Sequence, residues 1–199
     1  MLPTKSSLRL EARRRRAALG ASQRQAAALA IAAHVLALPG LTRDDLVASY
    51  WPLRDELDTQ PLMAALHGSG HGLALPVVIG PDQPLQFRLW QPGAPLHPAG
   101  FGALAPGPEA PSVTPTLILL PLLGFDDHGT RLGYGGGYYD RTLAALPASV
   151  RRIGLGFAAQ KFASLPREDH DLPLEGIVTE AGFFSLPILD PVHASVVSG

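Results

Sequence analysis

The sequence predicts a single-domain α/β fold built on a largely parallel, open sheet with flanking helices. Two observations carry that expectation. Short apolar runs alternate with alanine- and leucine-rich segments of helical density, as strands joined by helices do. At 199 residues, the chain is also long enough to bury one sizeable core.

Taken in order, residues 5–19 and 22–38 read as two helices parted by Gly20. Residues 46–50 form a short apolar strand that stops at Trp51 and Pro52, and 59–67 a helix opening at an Asp58/Thr59 cap signal. Strands follow at 73–79 and, with visible alternation, at 85–90. Residues 91–115 are dense in proline and glycine and predict a long ordered loop of the kind that carries function. The apolar run 116–120 reads as a buried strand, 138–146 as a helix, 153–157 and 176–180 as strands, and 158–174 as a loop. The domain is expected to span 1–185, with 186–199 a flexible tail.

Composition excludes several classes. A net charge of −1 provides no global field for nucleic acid or an anionic membrane. There is no cysteine, hence no disulfide, thiolate metal site or cysteine nucleophile, which fits a cytoplasmic setting. The longest apolar run, 116–125, contains Pro121 and is too short to span a bilayer. The basic N-terminus lacks the apolar region of a secretory signal. A small-molecule enzyme, monomeric or weakly homo-oligomeric, is expected.

The most informative segment is GTRLGYGGGYYDR, residues 129–141, between the buried strand and the helix that follows it. Glycine without a Cβ lets backbone N–H groups converge on an anion, and a helix N-terminus adds a favourable dipole. Gly129, Gly133, Gly135, Gly136 and Gly137 with Arg131 and Arg141 therefore suit a polyphosphate, a stronger reading here than a mobile glycine loop. Lys5 and Arg9 share a face of the first helix and could clamp phosphates, although alone they suit a solvated basic face better. The run 13–16 wraps around the helix, so it predicts surface solubility and no single site.

Asp140 is suited to Mg²⁺ beside phosphates or to simple helix capping, and Asp171 to a second oxygen ligand or an ordinary acidic loop. His170 has no second His or Cys at ligand spacing, which argues against a transition metal. After the first strand, Asp55 and Glu56 offer a carboxylate for an amidine-like edge such as a pterin. Trp51 and Phe101 could wall a heterocycle or belong to the core. Because ligands collect outside the carboxyl ends of parallel strands, the segments after Tyr50, Trp90, Leu120 and Phe157 are expected to face one crevice.

These residues resemble the 5-formyltetrahydrofolate cyclo-ligase (methenyltetrahydrofolate synthetase) family. The likeness rests on Lys5 and Arg9, DELDT at 55–59, LPV at 75–77, PLLGFD at 121–126, the block at 129–141, LPREDHD at 165–171 and IVTE at 177–180. It runs in order over nearly the whole chain. Because it starts at Lys5, no cleavable transit peptide is expected.

The resemblance implies cyclisation of 5-formyltetrahydrofolate with ATP as co-substrate and Mg²⁺ as cofactor. It implies ATP at Lys5, Arg9, Gly133, Tyr134, Gly135, Gly136, Gly137, Tyr138, Tyr139 and Asp140. Mg²⁺ is expected at Asp140 and Asp171, and folate at Trp51 and Glu56, with Phe101 a stacking wall by its place in the long loop. Arg131 and Arg141 are the candidates for stabilising the transferring phosphoryl group, by inference from their position. One departure stands out: Ala105, before Pro106, replaces the Glu or Gln usual in the family, which touches a polar contact near the folate. Alternatives are a non-catalytic nucleotide- or RNA-binding module, or a sugar-phosphate isomerase or CoA-transferase-like enzyme on a similar scaffold.

Overall fold

The computed structural model describes residues 4–100, 102–168 and 172–186; Phe101, Asp171, His170 and nearly all of the expected tail lie outside them. Helices α1 (Lys5–Ala17) and α2 (Ala21–Leu36) precede strand β1 (Leu46–Ala48) and helix α3 (Gln60–Gly68). Strands β2 (Gly72–Val77), β3 (Gln86–Trp90), β4 (His97–Pro98), β5 (Leu104–Ala105), β6 (Ser112–Val113), β7 (Leu117–Pro121), β8 (Gly124–Phe125) and β9 (Arg131–Leu132) follow. Helix α4 (Tyr138–Ala145), β10 (Arg151–Leu155), β11 (Gly176–Thr179) and β12 (Gly182–Ser185) complete the order.

The main sheet runs β12-β11-β10-β7-β1-β2-β3-β6. Its five central strands, β11 to β2, are parallel, and antiparallel strands close both edges. Central β7 shows why its sequence is continuously apolar. Leu117 and Leu119 pack with Ile31, Leu62 and Met63 of α2 and α3, while Ile118 and Leu120 pack with Leu143 of α4 on the other face. Burying each such leucine contributes about 1.5–3 kcal/mol, so the layered core holds the strand ends firmly.

Close approach is built into β10. A Cβ on Gly154 would lie 2.7 Å from a Leu122 methyl and 2.8 Å from methyls of Ile177 and Leu174, so a larger residue there must displace those side chains.

Three expectations need correction. Strand β3 is antiparallel, with Trp90 opposite Leu73 near the start of β2, so the segment after Trp90 leaves from the amino end of the parallel strands. The physical reason is the short 78–85 connection, since a parallel crossover needs a dozen residues or more. The 91–115 segment is not all loop: it holds the β4–β5 hairpin and the edge strand β6. Strand β12 was not anticipated; it turns back at Ala181–Gly182 and covers the β11 edge.

Candidate active site

Helix α1 packs beside the carboxyl edge of the sheet rather than on its faces. Leu8 and Ala12 join Leu123, Leu132, Phe162 and Leu165 in a small separate cluster. Thr4 Oγ1 caps the helix by accepting from the Ser7 N–H at 3.2 Å. The loop beneath α1 is organised by two buried side chains. Asp126 accepts from the backbone N–H groups of His128, Thr130 and Leu165, and the Gln160 amide donates to the carbonyls of Leu122 and Leu123.

The glycine segment leaves β9 and enters α4, the strand-to-helix placement expected of it. Gly135 has φ +99° and Gly137, the residue preceding α4, has φ +66°, conformations that L side chains rarely adopt. Arginines brace this backbone from both sides. Arg9 Nε donates to the Gly133 carbonyl at 2.9 Å, and Arg141 Nη2 donates to the Gly136 carbonyl at 2.9 Å. The Arg141 guanidinium also lies 5.0 Å from the Tyr138 ring centre and 3.9 Å from Asp82, while its Nε is buried without a partner. Lys5 reaches Glu168 at 3.2 Å.

Arg131 and Asp140 form an ion pair, with the Arg131 side chain 6% exposed and that of Asp140 28%. Arg131 therefore bears on Asp140 directly. Tyr139, whose ring centre lies 6.0 Å from Arg131, has its phenol raised by burial and then by the charge of Glu56.

On the folate side of the expected site, the loop after β1 is pinned by Thr59 Oγ1, which donates to the Tyr50 carbonyl at 2.6 Å. Glu56 accepts from the Leu53 N–H at 2.9 Å, and its carboxylate lies close enough to Tyr134 for the two groups to interact electrostatically. Burial raises the Glu56 carboxyl above its ordinary value despite the Leu53 hydrogen bond and the neighbouring Tyr134 and Arg16. Trp51 meets Trp90 edge-to-face, centroids 5.9 Å apart, and packs against the α2/α3 side of the core. Ala105 is buried opposite His97 in the β4–β5 hairpin.

Arg16 corrects the reading of the basic run. It is 4% exposed, and its Nε and Nη2 hold the two Asp55 oxygens at 3.0 and 2.8 Å while Nη1 donates to the Tyr134 hydroxyl at 2.7 Å. Arg15 also works structurally, donating to the Lys161 carbonyl and lying 4.2 Å from the Phe162 ring centre. Only Arg13 and Arg14 are plain surface. A signal existed: Leu8, Ala12 and Arg16 follow each other at four-residue steps, so Arg16 continues the buried stripe of α1.

The structure thus brings Arg9, residues 133–137, Asp140, Arg131, Arg141 and Glu56 into one linked system of contacts at the carboxyl edge, with Tyr134 as the joint. Among the described residues no three His, Asp or Glu side chains converge as a metal cage. Asp140 fits a different regime, in which Mg²⁺ keeps waters and takes one or two carboxylates plus substrate phosphates. No described helix is long and apolar enough to cross a membrane.

Sheet and edge cluster together define an α/β protein whose candidate site lies at the carboxyl ends of its parallel strands. The sequence profile of the 5-formyltetrahydrofolate cyclo-ligase family matches residues 2–180, and the chain belongs to that family of ligases in folate one-carbon metabolism. It is 32% identical to the 5-formyltetrahydrofolate cyclo-ligase of Haemophilus influenzae over 180 residues, covering 87% of this chain and 96% of that one. It is 33% identical to the Escherichia coli K12 protein of the same name over 174 residues, 84% and 95% of the two chains. The solution structure of Aquifex aeolicus 5,10-methenyltetrahydrofolate synthetase superposes with a TM-score of 0.79 at 29% identity, covering 96% of this chain and 98% of that one.

Proposed function

We propose that this chain catalyses the ATP-dependent cyclisation of 5-formyltetrahydrofolate to 5,10-methenyltetrahydrofolate, releasing ADP and phosphate. The observation that supports it most is the junction of two loops. A glycine-rich segment braced by Arg9 and Arg141 adjoins a partly buried carboxylate, Glu56, through Tyr134.

In this reading the formyl oxygen attacks the γ-phosphorus, forming an O–P bond as the bond to ADP breaks. The folate N10 then attacks the formyl carbon; its proton leaves, and the C–O bond breaks to release phosphate. Neither step needs a protein nucleophile, because phosphoryl transfer asks mainly for positioning and charge stabilisation. Lys5, Arg9 and residues 133–140 hold the nucleotide. Glu56 accepts hydrogen bonds from the pterin edge beside Trp51. Arg141, 33% exposed and only loosely paired with Asp82, is the cation best able to follow charge onto the transferring phosphoryl group. Arg131 contributes chiefly by fixing Asp140. Asp140 would hold Mg²⁺, which supplies charge neutralisation on phosphate oxygens.

The test is absorbance growth at the methenyl-folate band on mixing purified protein, 5-formyltetrahydrofolate, Mg²⁺ and ATP. A rise that needs all of them is expected. A flat trace from folded protein that binds ATP would overturn the enzymatic reading and favour a binding module.

A further inference from the structure

We propose that Arg16 is a positioning residue that, through the Tyr134 hydroxyl, ties the Asp55–Glu56 loop to the glycine segment and makes the two substrates bind cooperatively. The inference rests on the functional reading above, which places folate at Glu56 and nucleotide at residues 133–140.

The argument starts from proton inventory. A guanidinium has only donors, so the Tyr134 oxygen that receives Arg16 Nη1 at 2.7 Å must act there as an acceptor. The hydroxyl's single hydrogen is then turned away from Arg16, and the Glu56 carboxylate is near enough to act on Tyr134 electrostatically. Arg16 cannot easily swing away, because its other two contacts are the paired Asp55 bonds at 3.0 and 2.8 Å. Asp55 is the chain neighbour of Glu56. One buried arginine thus ties the backbone that carries the Glu56 carboxylate to the hydroxyl of the glycine segment.

Tyr134 is also the one residue with a side chain between Gly133 and Gly137. Its neighbour Gly135, at φ +99°, imposes no side-chain restraint on the segment. The residue is 40% exposed, and its hydroxyl, bonded to the buried Arg16 at 2.7 Å, anchors it. A folate edge that donates to Glu56 holds the 55–56 loop in place, so that Asp55 secures Arg16 and Arg16 secures Tyr134, which orders the glycine backbone before nucleotide arrives. A ligand that meets a pre-ordered loop does not bear the entropy of ordering it. Linkage makes the effect reciprocal: nucleotide tightens folate by the same factor.

The test is calorimetric titration of the full-length protein with a non-hydrolysable ATP analogue and Mg²⁺, with and without saturating 5-formyltetrahydrofolate. In the wild type, folate should lower the analogue's dissociation constant about tenfold, within the range of ordinary heterotropic coupling. In Tyr134→Phe, which keeps the ring but not the hydroxyl, that ratio should fall to about one, whatever each affinity does separately. Asp55→Asn, which loosens Arg16 without touching the glycine segment, should shrink it in the same direction. Binding of both ligands with a ratio of one in the wild type, or an unchanged ratio in Tyr134→Phe, overturns the coupling and leaves the functional reading intact. Absence of any 5-formyltetrahydrofolate binding to the wild type overturns both.

Discussion

Deleting Asp55 should destabilise this protein more than deleting Arg16, although the two residues are halves of one ion pair. Arg16 is 4% exposed, whereas the Asp55 side chain keeps 34% of its surface. Asp55→Ala leaves a buried guanidinium with the Tyr134 hydroxyl in place of a carboxylate. Stranding one partner of a fully enclosed pair costs about 3–5 kcal/mol, and water access on the Asp55 side reduces this to about 2–3 kcal/mol. Arg16→Met removes the charge together with its desolvation, fills the space of the stem and leaves a carboxylate that water can reach, for about 1 kcal/mol.

Urea unfolding followed by circular dichroism at pH 7 measures both, read as midpoint shifts at constant slope. For a chain of 199 residues the Asp55→Ala loss corresponds to roughly 5–10 °C in Tm. The pH dependence has a definite sign. Burial acts to raise the Asp55 carboxyl, but the hydrogen bonds and charge of Arg16 outweigh it and hold the group below its ordinary 3.8. Its contribution is present above that value and is lost as pH falls through the lower native one, so wild type and Asp55→Ala should converge on acidification. An Arg16→Met variant as unstable as Asp55→Ala, or more so, would refute the reasoning.

Other perturbations have equally definite outcomes. Asp140→Asn should lower kcat on the order of a hundredfold with the far-ultraviolet spectrum unchanged, and full turnover would remove Asp140 from the nucleotide site. Glu56→Gln should weaken folate binding in titration while sparing ATP, since Arg16 still ties Asp55 to Tyr134 of the glycine segment. Because burial raises the Glu56 carboxyl, the native state holds its proton more tightly than the unfolded state between 4.5 and the higher native value. The charged form therefore costs stability above that window, so Glu56→Gln should be the more stable protein at neutral pH, with the gain vanishing near pH 4.5; equal stability at pH 7 would contradict this. Gly135→Ala places a Cβ 3.3 Å from the Arg9 guanidinium carbon at φ +99°, a strain of about 1–2 kcal/mol that should weaken ATP binding about tenfold in the same titration.

Much of the architecture was legible because its signals are local. The β7 run announced a strand covered on both faces, and the glycine block announced a strand-to-helix turn. What escaped depended on relations between segments. The direction of β3 follows from the length of its connection, not its composition, and β12 contains too few residues to stand out beside an expected tail. Within the candidate site, Glu56 and the glycines stand out in the sequence by type. Arg16 does not, since four consecutive arginines look alike in one dimension and only the packing of α1 decides which one is enclosed.

The anchorage of α1 has a dynamic consequence. The helix carries Lys5, Arg9 and Arg16, yet it is held by a six-residue cluster of its own rather than by the layers that bury the sheet. Its opening free energy should therefore be well below that of global unfolding. Amides of α1 should exchange with solvent ahead of those in β1 and β7, and substrates that bridge the glycine segment should slow them selectively. In this protein the ligands themselves would supply part of the cohesion that the first helix does not get from the core.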